Sequence, residues 1–128
     1  MPRVLITAGA LSAALSVALG AFAAHALKSH MPLEILVVFQ TGVQYQFYHS
    51  LGLILVGIVA QHYQRSILLS AAGLLMAVGI LLFSGSLYAL STTGIRSLGI
   101  ITPIGGVAFI AAWLLLAFGV WRSHGVKP

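Results

Sequence analysis

The charged residues stand one at a time, at Arg3, Lys28, Glu34, Arg65, Arg96, Arg122 and Lys127, and the stretches between them are long and apolar. A helix needs about 20 mostly apolar residues to cross roughly 30 Å of hydrocarbon. Four stretches meet that length, at about residues 4–26, 43–62, 67–90 and 103–122. Lipid offers no partner to an exposed peptide group, so such segments fold as helices. Only 5% of the chain is charged, against about a quarter of an average soluble domain. That is too little charge for a water-facing surface. The expected fold is therefore all-α, an integral membrane four-helix bundle forming a single domain over residues 1–128. The connecting segments are too short to fold separately.

The first run has a rival reading as a secretory signal, with a basic start and small residues in "AFAAHA". It is longer than a signal's apolar core of roughly 7–15 residues, so it is expected to stay as a span. In "SHMPLE", Pro32 suits a first helical turn and Glu34 suits the positive end of a helix dipole. The second helix is thus expected to begin near Leu33, ahead of its lipid-crossing part. "ITPIGG" predicts Thr102 as N-cap and Pro103 at the first helical position of the fourth span. Arg3, Arg65, Arg122 and Lys127 outnumber Lys28 and Arg96 across the two sides, which places both termini in the cytoplasm.

The net charge of +5 is no nucleic-acid signal, because such binding needs basic residues clustered on one face. The chain has 0 cysteines, which excludes disulfides, thiolate metal sites and a cysteine nucleophile. A hydrolase would need an acid to orient a histidine beside a serine, and Glu34, outside the spans, is the single carboxylate residue. The same lack argues against a carboxylate-driven pump. No enzyme and no metal site are expected.

Spans in lipid associate through close backbone approach rather than hydrophobic drive. Ala8, Ser12, Ser16, Gly20 and Ala24 place a small residue at every fourth position of span one, and a second run holds Gly9, Ala13 and Ala21. Gly73 and Ala77, then Ala108 and Ala112, offer similar surfaces. Helix packing, within the bundle or with another subunit, is the expected role.

Polar residues gather elsewhere. If Gln61 marks one edge of span two, His49 lies roughly 18 Å along the helix and Tyr45 about 6 Å further. A helical wheel puts Thr41, Gln44, Tyr45, Tyr48 and Gly52 on one face, with His49 at its edge and Gln46 and Ser50 pointing away. His25, Ser84, Ser86, Tyr88 and Thr102 fall in the same far leaflet. Ionisable groups inside a membrane face protein, so Tyr45, Tyr48 and His49 are expected to look inward. His25, Tyr45, Gln46, Tyr48, His49, Ser84, Ser86 and Tyr88 form the candidate polar pocket, suited to a lipid headgroup or a partner. His25 and His49, at similar depth, offer a haem or quinone alternative.

Three segments carry a resemblance: "GAFAAHALK" at 20–28, "FQTGVQYQFYHSLGL" at 39–53, and "LFSGSLYAL" followed by "LGIITPIGGVAFIAAWLLLA" within 82–117. In this order they resemble the domain-of-unknown-function 423 family of YgdD-like small inner-membrane proteins, over nearly the whole chain. The resemblance implies a four-span protein of the bacterial cytoplasmic membrane and no activity. It carries over Gly20, Phe22, His25, Tyr45, Gln46, Tyr48, His49, Ser84, Ser86, Tyr88, Thr102 and Pro103 as motif residues. The expectation is a non-enzymatic protein, free of cofactors, embedded in the lipid bilayer. It would act in a homo-oligomer or with a membrane-protein partner. A small-solute channel or transporter is the alternative.

Overall fold

The computed structural model describes residues 1–63 and 65–123, so Lys127 and His124 lie outside the described residues. Helix α1 spans Pro2–His25 and α2 spans Leu33–His62. The third span is composite: α3 at Ile67–Gly79, a π-helical segment at Ile80–Ser84, and α4 at Gly85–Thr93. Helix α5 covers Ile101–Ser123. Short 3₁₀ turns at Leu27–Ser29 and Arg96–Ile100 lie in the loops. Among the described residues there are four helical spans long and apolar enough to cross a membrane, and no strand. The fold is an all-α membrane bundle.

Helix ends follow local chemistry. Pro32 is the N-cap of α2, one place ahead of the expected first turn, and Glu34 lies in that turn. The Ser66 hydroxyl accepts from the Leu69 amide to cap α3. Gly94, in the left-handed region at φ 72°, ends α4 with its N–H on the Leu90 carbonyl. Thr102 corrects an expectation. The 3₁₀ turn runs into α5 at Ile101, so Thr102 lies inside the helix and its hydroxyl instead meets that of Ser86 on α4.

Helix α2 is central, and α1 packs along it in antiparallel register. An added Cβ on Gly9 would stand 2.7 Å from the Ser50 carbonyl oxygen, and one on Gly57 2.6 Å from Ile6. The expected row on α1 needs correcting here: Ala8 and Ala24 are exposed, whereas Gly9, Ser16 and Ala23 are buried. Steps of four turn a helix by 400°, drifting about 40° each time. Gly9, Ser16 and Ala23 are seven apart and stay on one face, the period of a left-handed helix pair. The matching seam on α2 includes Val43, Gln46, Ser50, Ile54 and Gly57. The third span meets α5 in a second antiparallel register, pairing Leu69 with Gly119, Gly79 with Phe109, Phe83 with Gly105 and Ser86 with Thr102.

The apolar core comes in two parts. One joins Leu53, Val56 and Ala60 to Leu69, Ala72, Met76, Ala112 and Leu116. The other, near the opposite end, holds Ala23, Leu36 and Phe39. A polar and aromatic layer separates them.

Candidate functional site

The layer is built where α1, α2 and the π-interrupted third span meet. Gln46 is its hub. Its side-chain nitrogen donates to the Ser12 carbonyl at 3.0 Å and lies 3.3 Å from the Ser12 hydroxyl. Its side-chain oxygen accepts from the Tyr88 hydroxyl at 2.6 Å. The Ser50 hydroxyl lies 2.7 Å from that of Ser12 and 2.6 Å from the Gln46 carbonyl. Ser84, at the end of the π-helical segment, donates to the Gly42 carbonyl at 2.6 Å. Glycine is needed at position 42, because a Cβ there would stand 2.8 Å from the Tyr88 ring. Each polar group buried in hydrocarbon needs a partner, and among the described residues no buried side-chain nitrogen or oxygen lacks one.

Beside the hydrogen bonds lies an aromatic stack. The His49 ring lies on Phe109 with centroids 3.4 Å apart and planes 9° apart. Trp113 flanks it at 5.9 Å and Tyr45 at 6.0 Å. His49 Nδ1 sits 2.7 Å from the Tyr45 carbonyl. A carbonyl only accepts, so Nδ1 carries the proton and Nε2 holds the lone pair in the neutral ring. Tyr45 also packs on Phe83 at 4.6 Å.

The wheel reading of α2 is inverted in two places. Gln46 and Ser50 are 3% and 0% exposed and face the bundle. Tyr45 and Tyr48 are 38% and 53% exposed, so Tyr48 looks outward and Tyr45 only borders the stack. The small residues Gly42, Ser50, Gly52 and Gly57 mark the true inner face, because only they admit close backbone approach. Gln44 is exposed as well.

His25 is also displaced from the expected cluster. It is exposed at the end of α1. Val43 stands opposite Gly20, which carries His25 to the level of about residue 38, roughly 16 Å along α2 from His49. The two histidines do not converge on one ligand. Among the described residues, no three of His, Cys, Asp and Glu stand together. The structure brings Gln46, Tyr88, Ser84 and His49 into one layer, adds Ser86 through Thr102, and leaves His25 and Tyr48 outside. Ser12 had a packing role in sequence but is a hydrogen-bonding member, and Ser50 and Phe109 join it.

Residues 19–106 match the family model described as "Protein of unknown function (DUF423)". The chain is 51% identical to the UPF0382 membrane protein YwdK of Bacillus subtilis, over 89% of this chain and 93% of that protein. It is 41% identical to a UPF0382 membrane protein of Haemophilus influenzae, over 94% and 96% of the two. With the UPF0382 inner membrane protein YgdD of Escherichia coli the identity is 38%, over 94% and 91%. No solved structure matches the chain.

Proposed function

The chain belongs to the DUF423 family and is a multi-pass membrane protein, and from that premise we propose that it works by association within the membrane rather than by catalysis. One observation carries this reading: the buried polar side chains bond to one another. Gln46, Ser12, Ser50 and Tyr88 close a lock across three helices. Such a lock fixes helix register, a role that interhelical polar pairs fill in lipid. A solute path would instead need polar groups free to exchange partners along its length. Helix α1, with Gly9, Ser16 and Ala23 as its buried residues, keeps most of its apolar surface for lipid or for another chain. Both termini lie in the cytoplasm in this reading, since Arg3, Arg65 and Arg122 share one end.

Native mass spectrometry of the whole protein from a mild detergent tests the association. Homo-oligomers, or a stoichiometric partner copurified from its own membrane, are the expected result. A lone monomer under both conditions overturns the reading. A C-terminal reporter fusion is expected to be active on the cytoplasmic side; activity on the far side overturns the orientation.

A further inference from the structure

The end of the bundle at the α2–α3 connection holds Arg3, Arg65 and Arg122, while Glu34 stands at the opposite end of α2. Among the described residues, these arginines have no carboxylate partner. Two cavities open between them. One, of about 640 Å³, is lined by Arg3, Arg65 and Ser70. Its neighbour, of about 510 Å³, is lined by Arg65, Arg122 and His62. Tyr63, Arg65 and Ser66 line both, so Arg65 stands between two chambers that each hold one further arginine. Arg65 is also the one described non-glycine residue with φ in the left-handed region, at 67°.

A third feature points to the class of ligand. An open surface strip begins at the same Arg3 and descends the exposed face of α1 past Val4, Thr7, Ala8 and Leu11. A free anion has no use for a largely apolar strip running from a basic cluster towards hydrocarbon; an acyl chain tied to a phosphate can lie along it. We propose that this end binds an anionic phospholipid carrying two phosphodiesters, one in each chamber with Arg65 between them, and an acyl chain along the exposed strip of α1. Guanidinium groups suit phosphate oxygens through paired N–H donors. Basic pockets between spans near a membrane face favour such headgroups, at about 1 kcal/mol for each basic residue, or about five-fold in affinity.

Native mass spectrometry of the full chain in mild detergent, with cardiolipin, phosphatidylglycerol, phosphatidylethanolamine or inorganic phosphate added, tests this. Cardiolipin is expected to be retained best. Arg65→Gly is expected to lower its retention about five-fold. Glycine is at ease at positive φ, so the thermal midpoint of that variant in lipid-free detergent is expected to hold. Arg3→Gln and Arg122→Gln are expected to weaken retention likewise, and Lys28→Gln and Arg96→Gln, at the other end, to leave it unchanged. Equal retention of phosphatidylethanolamine or phosphatidylglycerol, an unchanged Arg65→Gly, or equal losses at the two ends would overturn the proposal. So would displacement of the lipid by inorganic phosphate.

Discussion

Gly9→Ala adds one methyl group where two helix backbones meet. Its carbon would lie 2.7 Å from the Ser50 carbonyl oxygen, 2.8 Å from Ile54 Cγ1 and 3.0 Å from the Ile54 nitrogen. Two of these three are backbone atoms, which cannot swing aside. Restoring an ordinary contact of about 3.4 Å requires α1 to move off α2 by about 0.7 Å. The Gln46–Ser12 hydrogen bond, now 3.0 Å, would stretch to about 3.7 Å, beyond useful range. The Ser12–Ser50 contact would lengthen with it. Interhelical hydrogen bonds in membranes average about 0.6 kcal/mol, so two contribute about 1.2 kcal/mol. Overpacking costs about 1–3 kcal/mol, and alanine's helix preference over glycine returns about 1 kcal/mol. The net expectation is a loss of about 1–3 kcal/mol. Gly20→Ala is the control, because its Cβ would meet a Val43 methyl at 3.3 Å, a side-chain atom that can give. That variant is expected to be neutral or stabilised. Reversible unfolding of both variants by SDS titration in mixed micelles measures the difference. A Gly9→Ala protein as stable as Gly20→Ala would refute the backbone-contact account of this interface.

The bond between Tyr88 and Gln46 is open to a double-mutant cycle. Gln46→Leu and Tyr88→Phe are expected to show a coupling of about 0.6 kcal/mol and at most about 1.7 kcal/mol; a coupling of zero would mean the two side chains act independently. His49→Ala removes the ring stacked on Phe109 and opens space beside Trp113. A loss of about 2–5 kcal/mol, typical of emptied core sites, and a shift in tryptophan emission are expected; unchanged stability and emission would remove the stack from the list of what holds α2 to α5.

The helical spans were legible because their cause is local: length, apolarity and the charges between them. Glu34 in the first turn of α2 was legible for the same reason. Which face of α2 turns inward was not. Tyrosines can border an aromatic stack from the lipid side, as Tyr45 does, so polarity alone misassigns them. Glycine and serine spacing was the better guide. On α1, a row at every fourth residue drifts around the helix, and only the seven-residue repeat keeps to one partner. The position of His25 failed for a different reason: depth counted from helix ends ignores how two helices are offset. The π-helical segment leaves no periodic signature; within it the Phe83 backbone packs against Gly105, where a Cβ would collide with the Phe83 nitrogen.

That segment makes the third span two half-helices with separate rotational settings. Leu69, Ala72 and Met76 face the core in α3, and an unbroken continuation of their seam would bring residues 83 and 87 inward. The wider turn brings Ser84 and Tyr88 inward instead. Deleting one residue between 80 and 84 would leave length, apolarity and charge almost untouched. It would let the turn close to regular α geometry, with the serine and the tyrosine moved to the positions 83 and 87 that such a helix brings inward, so their contacts with α2 are expected to survive. The wide turn thus absorbs one residue between α3 and the polar layer, an offset that no hydropathy profile registers.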